Sequence, residues 1–369
     1  MALFTDIDVD TPGRGARRRW VGVYLVGFAL LVIFAVAVIP SPYVVQKPGP
    51  VFDTLGSVEF GDGEVPLIDV EGAETFPTEG SLSMLTVSIQ GNRDQPLSWL
   101  EVVRSWLTSS DAVVPLDDIY PPGTSTEESS EQSRLEMESS QQEAIAAALS
   151  TLDYDFTSTL TVEGTAPESP AADLLFAGDI ILEVNGESMR DLSALRDAVA
   201  RNGVDAAATI DISRDGRETT VRVTPTMSAG DNPVPVLGVL ISSDYEFPID
   251  VTIQLENVGG PSAGQMFALG IIDKLTPGSM TGGADIAGTG TITATGEIGP
   301  IGGIRQKMYG ALWAGADYFL APVDNCNEVT GFIPDGLDVF AVSTLEDSVT
   351  AVDAIARGAT MDLATCSAG

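Results

Sequence analysis

The sequence predicts an α+β multidomain chain with an N-terminal transmembrane helix, a small β-rich module and a glycine-rich α+β domain toward its C-terminus. Three observations carry this expectation. Residues 21–39, VGVYLVGFALLVIFAVAVI, contain no charged side chain. Residues 157–226 alternate short strand patterns with Asn185-Gly186 and Asp215-Gly216 turns. From 234 onward, glycine-rich strand patterns alternate with short helical ones. At 369 residues, with 44% hydrophobic and 19% charged content, the chain is long enough for several folded domains.

The apolar run comes first. At a rise of ~1.5 Å per residue it approaches the ~30 Å hydrocarbon core of a bilayer. The basic group RGARRRW (14–20) precedes it and no basic cluster follows. This places residues 1–20 in the cytoplasm, makes 21–39 a single-pass span in the cell membrane, and leaves residue 41 onward outside. Trp20 and Tyr43 fall where interfacial aromatics belong. The alternative is a cleaved signal peptide with AVA (35–37) at its cleavage site, although its apolar region would exceed the usual ~7–15 residues. In either reading the bulk of the chain meets an oxidising compartment. Cys326 and Cys366 then suit one disulfide pinning the C-terminal tail, or stay as two free thiols.

Composition excludes several classes of function. With 53 acidic and 18 basic residues the net charge is −35, which argues against a nucleic-acid partner. The same acidity suits a salty habitat or simply a soluble surface. There is no histidine, so imidazole bases and histidine metal ligands are ruled out. The cysteines lack metal-ligand spacing, and neither a metal nor a cofactor is expected. Lysine occurs only at 47, 274 and 307.

Residues 40–152 read as a stalk and an outer α/β region. PSPYVVQKPGPVFDTLG (40–56) is extended, SLSMLTVSI (81–89) is strand-like, and WLEVVRSWL (99–107) is amphipathic. The polar TSTEESSEQSRLEMESSQQ (124–142) leads into a helix that sets Ile145, Ala148, Leu149 and Leu152 on one face. Nothing in this region suggests chemistry; its expected role is to support the next domain, to receive substrate or to mediate oligomer contacts.

In residues 157–226 the stretch SPAADLLFAGDIILEVNG (169–186), a helix at 191–201 and a final hairpin resemble a PDZ domain. That resemblance implies peptide capture by strand addition. The edge strand would be Leu160–Glu163, including Val162, and Leu192, Leu195 and Val199 would line the side-chain groove. The same apolar stripe would equally pack the module's own core.

The domain at 234–369 holds NVGGPSAGQMFALG (257–270), with Ser262 between a Gly-Gly-Pro turn and a helix. A serine there is either a helix cap or a nucleophile. If such a nucleophile has a side-chain amine as its base, there are three candidates. Lys274 lies twelve residues further along one helix, ~18 Å away, and Lys47 belongs to the stalk. Lys307 remains, on the first turns of a helix in IGGIRQKMYGALWAG (301–315).

The pair GPSAG (260–264) and IGGIRQK (301–307) resembles the proteolytic domain of Lon-type peptidases, which use a serine–lysine dyad. The resemblance implies Ser262 as nucleophile, Lys307 as general base, Thr289 in AGTGTI as orienter of the amine, and a hexameric ring. Many members carry an acid three positions before the serine, where this chain has Gly259, so an acid must be sought elsewhere, with Glu256 as candidate. Oxyanion donors would be the amide of Ser262 and that of Gly259 or Gly260. The amine must be neutral near pH 7.5, which burial can achieve if no carboxylate, Glu297 above all, touches it.

No G-x-x-x-x-G-K-[ST] loop is present. The expected function is therefore an ATP-independent, extracytoplasmic serine endopeptidase acting on exposed or unfolded polypeptides, with the PDZ module capturing or regulating. The alternative is an inactive, membrane-tethered peptide-binding scaffold.

Overall fold

The computed structural model describes residues 20–28, 30, 39–61, 63–121, 123, 125–189, 191–228, 233–256 and 258–366. Residues 20–28 are helical. Among the described residues no helix is long and apolar enough to cross a membrane. Residues 1–19, and 29 and 31–38 of the predicted span, lie outside the described residues.

In chain order, strands β1 (Tyr43–Asp53), β2 (Ile68–Glu71) and β3 (Ser81–Gln90) precede helix α1 (Trp99–Trp106), strand β4 (Ala112–Pro115) and the long helix α2 (Thr126–Thr151). Strands β5 (Thr157–Thr165) and β6 (Ile180–Val184), helix α3 (Leu192–Asn202), and strands β7 (Ala208–Arg214), β8 (Arg217–Val223) and β9 (Val239–Glu246) follow. The chain continues through β10 (Asp250–Ile253), α4 (Gly264–Leu275), β11 (Asp285–Gly288), α5 (Ile304–Ala314), β12 (Tyr318–Pro322), β13 (Asp338–Val342) and α6 (Leu345–Ala356).

Residues up to 47 and 88–126 form one compact unit. Its strand pair joins Tyr43–Gln46 of β1 antiparallel to β4. Helix α1 starts at a capping box in which Ser98 accepts from the Glu101 amide while the Glu101 carboxylate accepts from the Ser98 amide. The Tyr43 ring meets Trp99 and Trp106 edge-on, with centroids 5.7 and 6.2 Å apart.

The second unit, 48–87 and 127 onward, contains two sheets of consequence. In the first, β13, β12, β11 and β3 run side by side and parallel, with β1 beyond β3. Alternate residues point to opposite faces. Ile286, Leu320, Phe340 and Val342 join a core with α2, α4 and α6, while Ala287, Phe319, Ala321 and Val339 pack against α5 residues Ile304, Met308 and Ala311. Leu82, Ser83, Met84 and Leu85 in β3 are all buried, as a strand covered on both faces requires.

This sheet moves a boundary. The predicted C-terminal domain begins at 234, yet β3 pairs with β11 (Ser81 opposite Asp285, Met84 opposite Gly288) and β2 pairs with β10 (Ile68 opposite Ile253). Residues 48–87 and α2 thus belong to the same core as 249–366, and the β-rich module is an insertion between α2 and β10. Helix α2 also starts at 126, so that nearly all of the polar stretch 124–142 expected to lead into it is itself helical. Its polar first half is held by Arg134, which pairs with Glu131 at 2.7 Å and with Glu138, and it presents Met137 and Ser140 to the core.

In the inserted module the strand order is β8-β7-β6-β5-β9. The predicted edge at Leu160–Glu163 is therefore not an edge. Strand β9 pairs antiparallel along the whole of β5, from Val239 opposite Thr165 to Glu246 opposite Thr157. The segment 236–246, VLGVLISSDYE, supplies the extra strand, and the open edge passes to β9.

Candidate active site

Ser262 lies two residues before α4, whose N-cap is Ala263. Its side chain is thus not the helix cap. Two close approaches place it. Gly264 sits where a Cβ would come within 2.6 Å of Ile292 and 2.9 Å of the Ser140 hydroxyl, and Gly290 where a Cβ would lie 2.7 Å from Gln265 and Ile298. Lacking side chains, these glycines let α4 settle onto the segment after β11. There the Ser262 carbonyl accepts from the Gly290 amide at 3.0 Å and from the Thr289 hydroxyl at 2.9 Å.

Lys307 comes from the other side, one turn into α5. The N-cap Gly303 is left-handed (φ 69°), and a Cβ there would lie 2.8 Å from Val87. Lys307 Nζ ends 2.6 Å from Ser262 Oγ and 2.9 Å from Thr289 Oγ1. Lys307 is 2% exposed and Thr289 fully buried, while Ser262 retains partial exposure. Burial alone pushes the Lys307 amine down to about 7 from an ordinary 10.5. Glu297 is exposed, and its backbone amide donates to the Thr293 hydroxyl.

A neutral amine gives the three residues a consistent set of protons. The Ser262 hydroxyl donates to the Nζ lone pair, an Nζ hydrogen donates to Thr289 Oγ1, and the Thr289 hydroxyl donates to the Ser262 carbonyl. This arrangement can deprotonate a serine for attack on a carbonyl. The other lysines are elsewhere: Lys47 faces Asp111 at 3.9 Å, and Lys274 is in the last turn of α4.

The turn before Ser262 is held by α2, which the sequence reading leaves without a chemical role. The Gly260 amide donates to the Ser133 carbonyl at 2.8 Å, and the Ser140 hydroxyl donates to the Pro261 carbonyl at 2.9 Å. A Cβ on Gly259 would meet Ser133 at 2.8 Å. Of the expected oxyanion donors, the Gly260 amide is thus already engaged. Further along α2, Glu143 accepts from the Tyr245 hydroxyl of β9 at 3.2 Å and from the Ala294 amide. Burial pushes the Glu143 carboxyl up. The signal available in the sequence was the spacing 133, 137, 140 and 144, one face of a helix once α2 is extended toward 126.

Leu160, Val162, Leu195 and Val199 are buried in the β-rich module's own core, with Leu192 half-buried against it. They do not line an open groove at β5. Cys326 and Cys366 are joined as a disulfide (S–S 2.06 Å), and the tail they hold is further fixed by a hydrogen bond from the Ala341 amide to the Ala364 carbonyl. Closing that 40-residue separation is worth about 4 kcal/mol by chain entropy. No group of three or more acidic or cysteine side chains suited to a metal is found among the described residues.

Residues 256–354 match the Lon protease (S16) C-terminal proteolytic domain, and residues 161–214 match the PDZ domain. The Lon protease of Azospirillum brasilense is 39% identical over 92 residues, 24% of this chain and 11% of that protein. Lon protease 1 of Sorangium cellulosum is 36% identical over 93 residues, again 24% and 11%. The mitochondrial Lon protease homolog of Drosophila melanogaster is 35% identical over 91 residues, 24% and 9%. The matched segment thus spans about a tenth of the length of these relatives. The chain carries a Lon-type (S16) proteolytic domain, the domain of a serine-type peptidase, with a PDZ domain inserted ahead of its serine.

Proposed function

We propose that this chain is an ATP-independent serine endopeptidase in which Ser262 is the nucleophile, Lys307 the general base and later acid, and Thr289 the residue that orients the amine. The observation that carries this is the 2.6 Å approach of a buried, carboxylate-free Lys307 amine to Ser262 Oγ. Neutral Lys307 takes the hydroxyl proton as Oγ attacks the scissile carbonyl. The resulting ammonium gives that proton to the departing amine, leaving an acyl-enzyme. Water, deprotonated by the same amine, then releases the acid and restores Ser262.

Substrates are exposed or unfolded polypeptides, captured in the PDZ domain by strand addition at β9, the edge of its sheet. The strand runs within four residues of β10 and so leads directly to the proteolytic core. The uncharged run 21–39 behind its basic flank supports a membrane anchor with the catalytic part outside. The test is cleavage of an unfolded protein by the full chain without nucleotide, against Ser262→Ala and Lys307→Ala. Loss in both, with folding intact, is expected. Undiminished cleavage in either variant would overturn the dyad.

A further inference from the structure

We propose that helix α1 is an interfacial helix, lying on the outer surface of the bilayer beside the exit of the 21–39 run, with Leu100, Val103, Trp106 and Leu107 set among the lipids. This rests on the membrane-anchor reading above.

Helix α1 already has a packed face, formed by Val102 and Ser105, which are 0% and 4% exposed. A second apolar face is exposed among the described residues, with only the Tyr43 ring against one side of Trp106. Leu100 is 53% exposed, Val103 40%, Trp106 57% and Leu107 85%. At about 100° per residue, Leu100, Val103 and Leu107 fall within roughly 60° of one another, with Trp106 beside them. Such a stripe, separate from the packed one and carrying a tryptophan, has the pattern of a helix lying in a membrane interface.

Its position supplies the occupant. Pro40, the residue after the apolar run, pairs with Ser98, the N-cap of α1, and the Ser41 amide donates to the Leu97 carbonyl at 2.8 Å. Paired strands are ~5 Å apart, so α1 starts where the predicted span leaves the hydrocarbon. The interfacial zone on each side is ~5–8 Å deep, and an eight-residue helix is ~12 Å long. The edge-on cluster of Tyr43, Trp99 and Trp106 falls at the same level, where interfacial aromatics concentrate.

Charge sets the kind of lipid. Glu101 is engaged with Ser98 at 2.9 Å in the cap, and Arg104 borders the apolar stripe, able to reach a phosphate. A chain of net charge −35 gains nothing from anionic headgroups. Contact should therefore rest on apolar insertion and be insensitive to salt and to anionic lipid.

The experiment uses the full chain reconstituted in phosphatidylcholine vesicles, with an environment-sensitive fluorophore on Leu107→Cys and, off the stripe and just past the helix, on Thr108→Cys. Acyl-chain-brominated lipid should quench the Leu107→Cys label at least twofold and leave the Thr108→Cys label nearly unchanged, in low and high salt alike. Leu100→Glu, Val103→Glu and Leu107→Glu are all surface changes, and their combination should abolish quenching of a label on Trp106→Cys while the chain still resists alkaline extraction. Resistance to extraction with no quenching at Leu107→Cys would overturn the interfacial helix and leave the anchor standing. An unquenched Leu107→Cys that forms disulfides between copies would assign the face to a second copy instead. Extraction of the unsubstituted chain would overturn the anchor, and the proposal with it.

Discussion

The Gly260 amide donates to the Ser133 carbonyl at 2.8 Å, tying the turn before Ser262 to helix α2. The Ser140 hydroxyl adds a second tie to the Pro261 carbonyl. Ser140→Ala removes only the second. Ser140 is 4% exposed and its loss leaves the half-buried Pro261 carbonyl short of a donor, at a cost of about 1–2 kcal/mol. We expect a lower midpoint in chemical denaturation and a kcat reduced about tenfold with KM unchanged, since the serine is displaced and the proposed peptide-binding edge at β9 is untouched. A kcat equal to that of the parent would show that the Gly260 tie alone positions the turn.

With Lys307 as the proposed base, its ionisation sets the pH dependence. Attack needs the neutral amine, and burial brings its ionisation down to about 7. The rate kcat/KM should therefore rise with pH through about 7, with unit slope below it and a plateau above. Lys307→Arg keeps a cation that stays protonated past pH 12, so it should be inactive across the whole range. A profile that stays flat from pH 5 to 9 would exclude Lys307 as base.

The same burial costs stability. The amine ionises at about 7 in the fold and near 10.5 when unfolded, so between those values the unfolded chain binds a proton that the folded chain does not. The penalty is absent above about pH 10.5, grows as the pH falls through that window, and is complete below about pH 7, on the order of 5 kcal/mol. Lys307→Met fits the same space without it and leaves the Ser262 hydroxyl unpaired at a cost of about 1 kcal/mol. The variant should be inactive yet more stable by a few kcal/mol at pH 6–7, with the gain fading toward pH 10. Denaturant titrations at three pH values test this; a variant destabilised at pH 6 would refute it.

What the sequence made legible follows chemical scarcity. With no histidine and three lysines, Lys307 is the amine left to serve Ser262 if its base is an amine, and the resemblance of Gly-Pro-Ser-Ala-Gly and Ile-Gly-Gly-Ile-Arg-Gln-Lys to Lon-type peptidases is what marks Ser262 as a nucleophile rather than a cap. Both lie in short, locally coded segments. The long-range pairings were not legible: nothing local in SLSMLTVSI reveals that Ser81–Met84 lines up beside Asp285–Gly288 across an inserted domain. The edge strand was misread for the same reason. Leu160 and Val162 have strand character in either register, and only the return of 239–246 along β5 decides which strand ends the sheet. Ser133 and Ser140 were hidden by polarity, because a serine- and glutamate-rich stretch reads as solvated until its far face is seen against the core.

Glu143 joins β9, the proposed peptide-binding strand, to the segment that follows Thr289. It accepts from Tyr245 on β9 at 3.2 Å and from the amide of Ala294, five residues after the Thr289 that holds Ser262 and Lys307. A peptide that adds to β9 and shifts Tyr245 changes a carboxylate whose other oxygen anchors the turn. Glu143→Ala removes both bonds and leaves the Ala294 amide unpaired, which should lower basal cleavage and cost about 1–3 kcal/mol of stability. Tyr245→Phe removes one hydroxyl and keeps the Ala294 anchor, so basal cleavage of a short fluorogenic peptide should be unchanged. Any stimulation or inhibition of that cleavage by a second, strand-forming peptide should shrink severalfold in Tyr245→Phe. Titrating such a peptide into both variants and the parent separates the two bonds, and an unchanged response in Tyr245→Phe would place the coupling elsewhere.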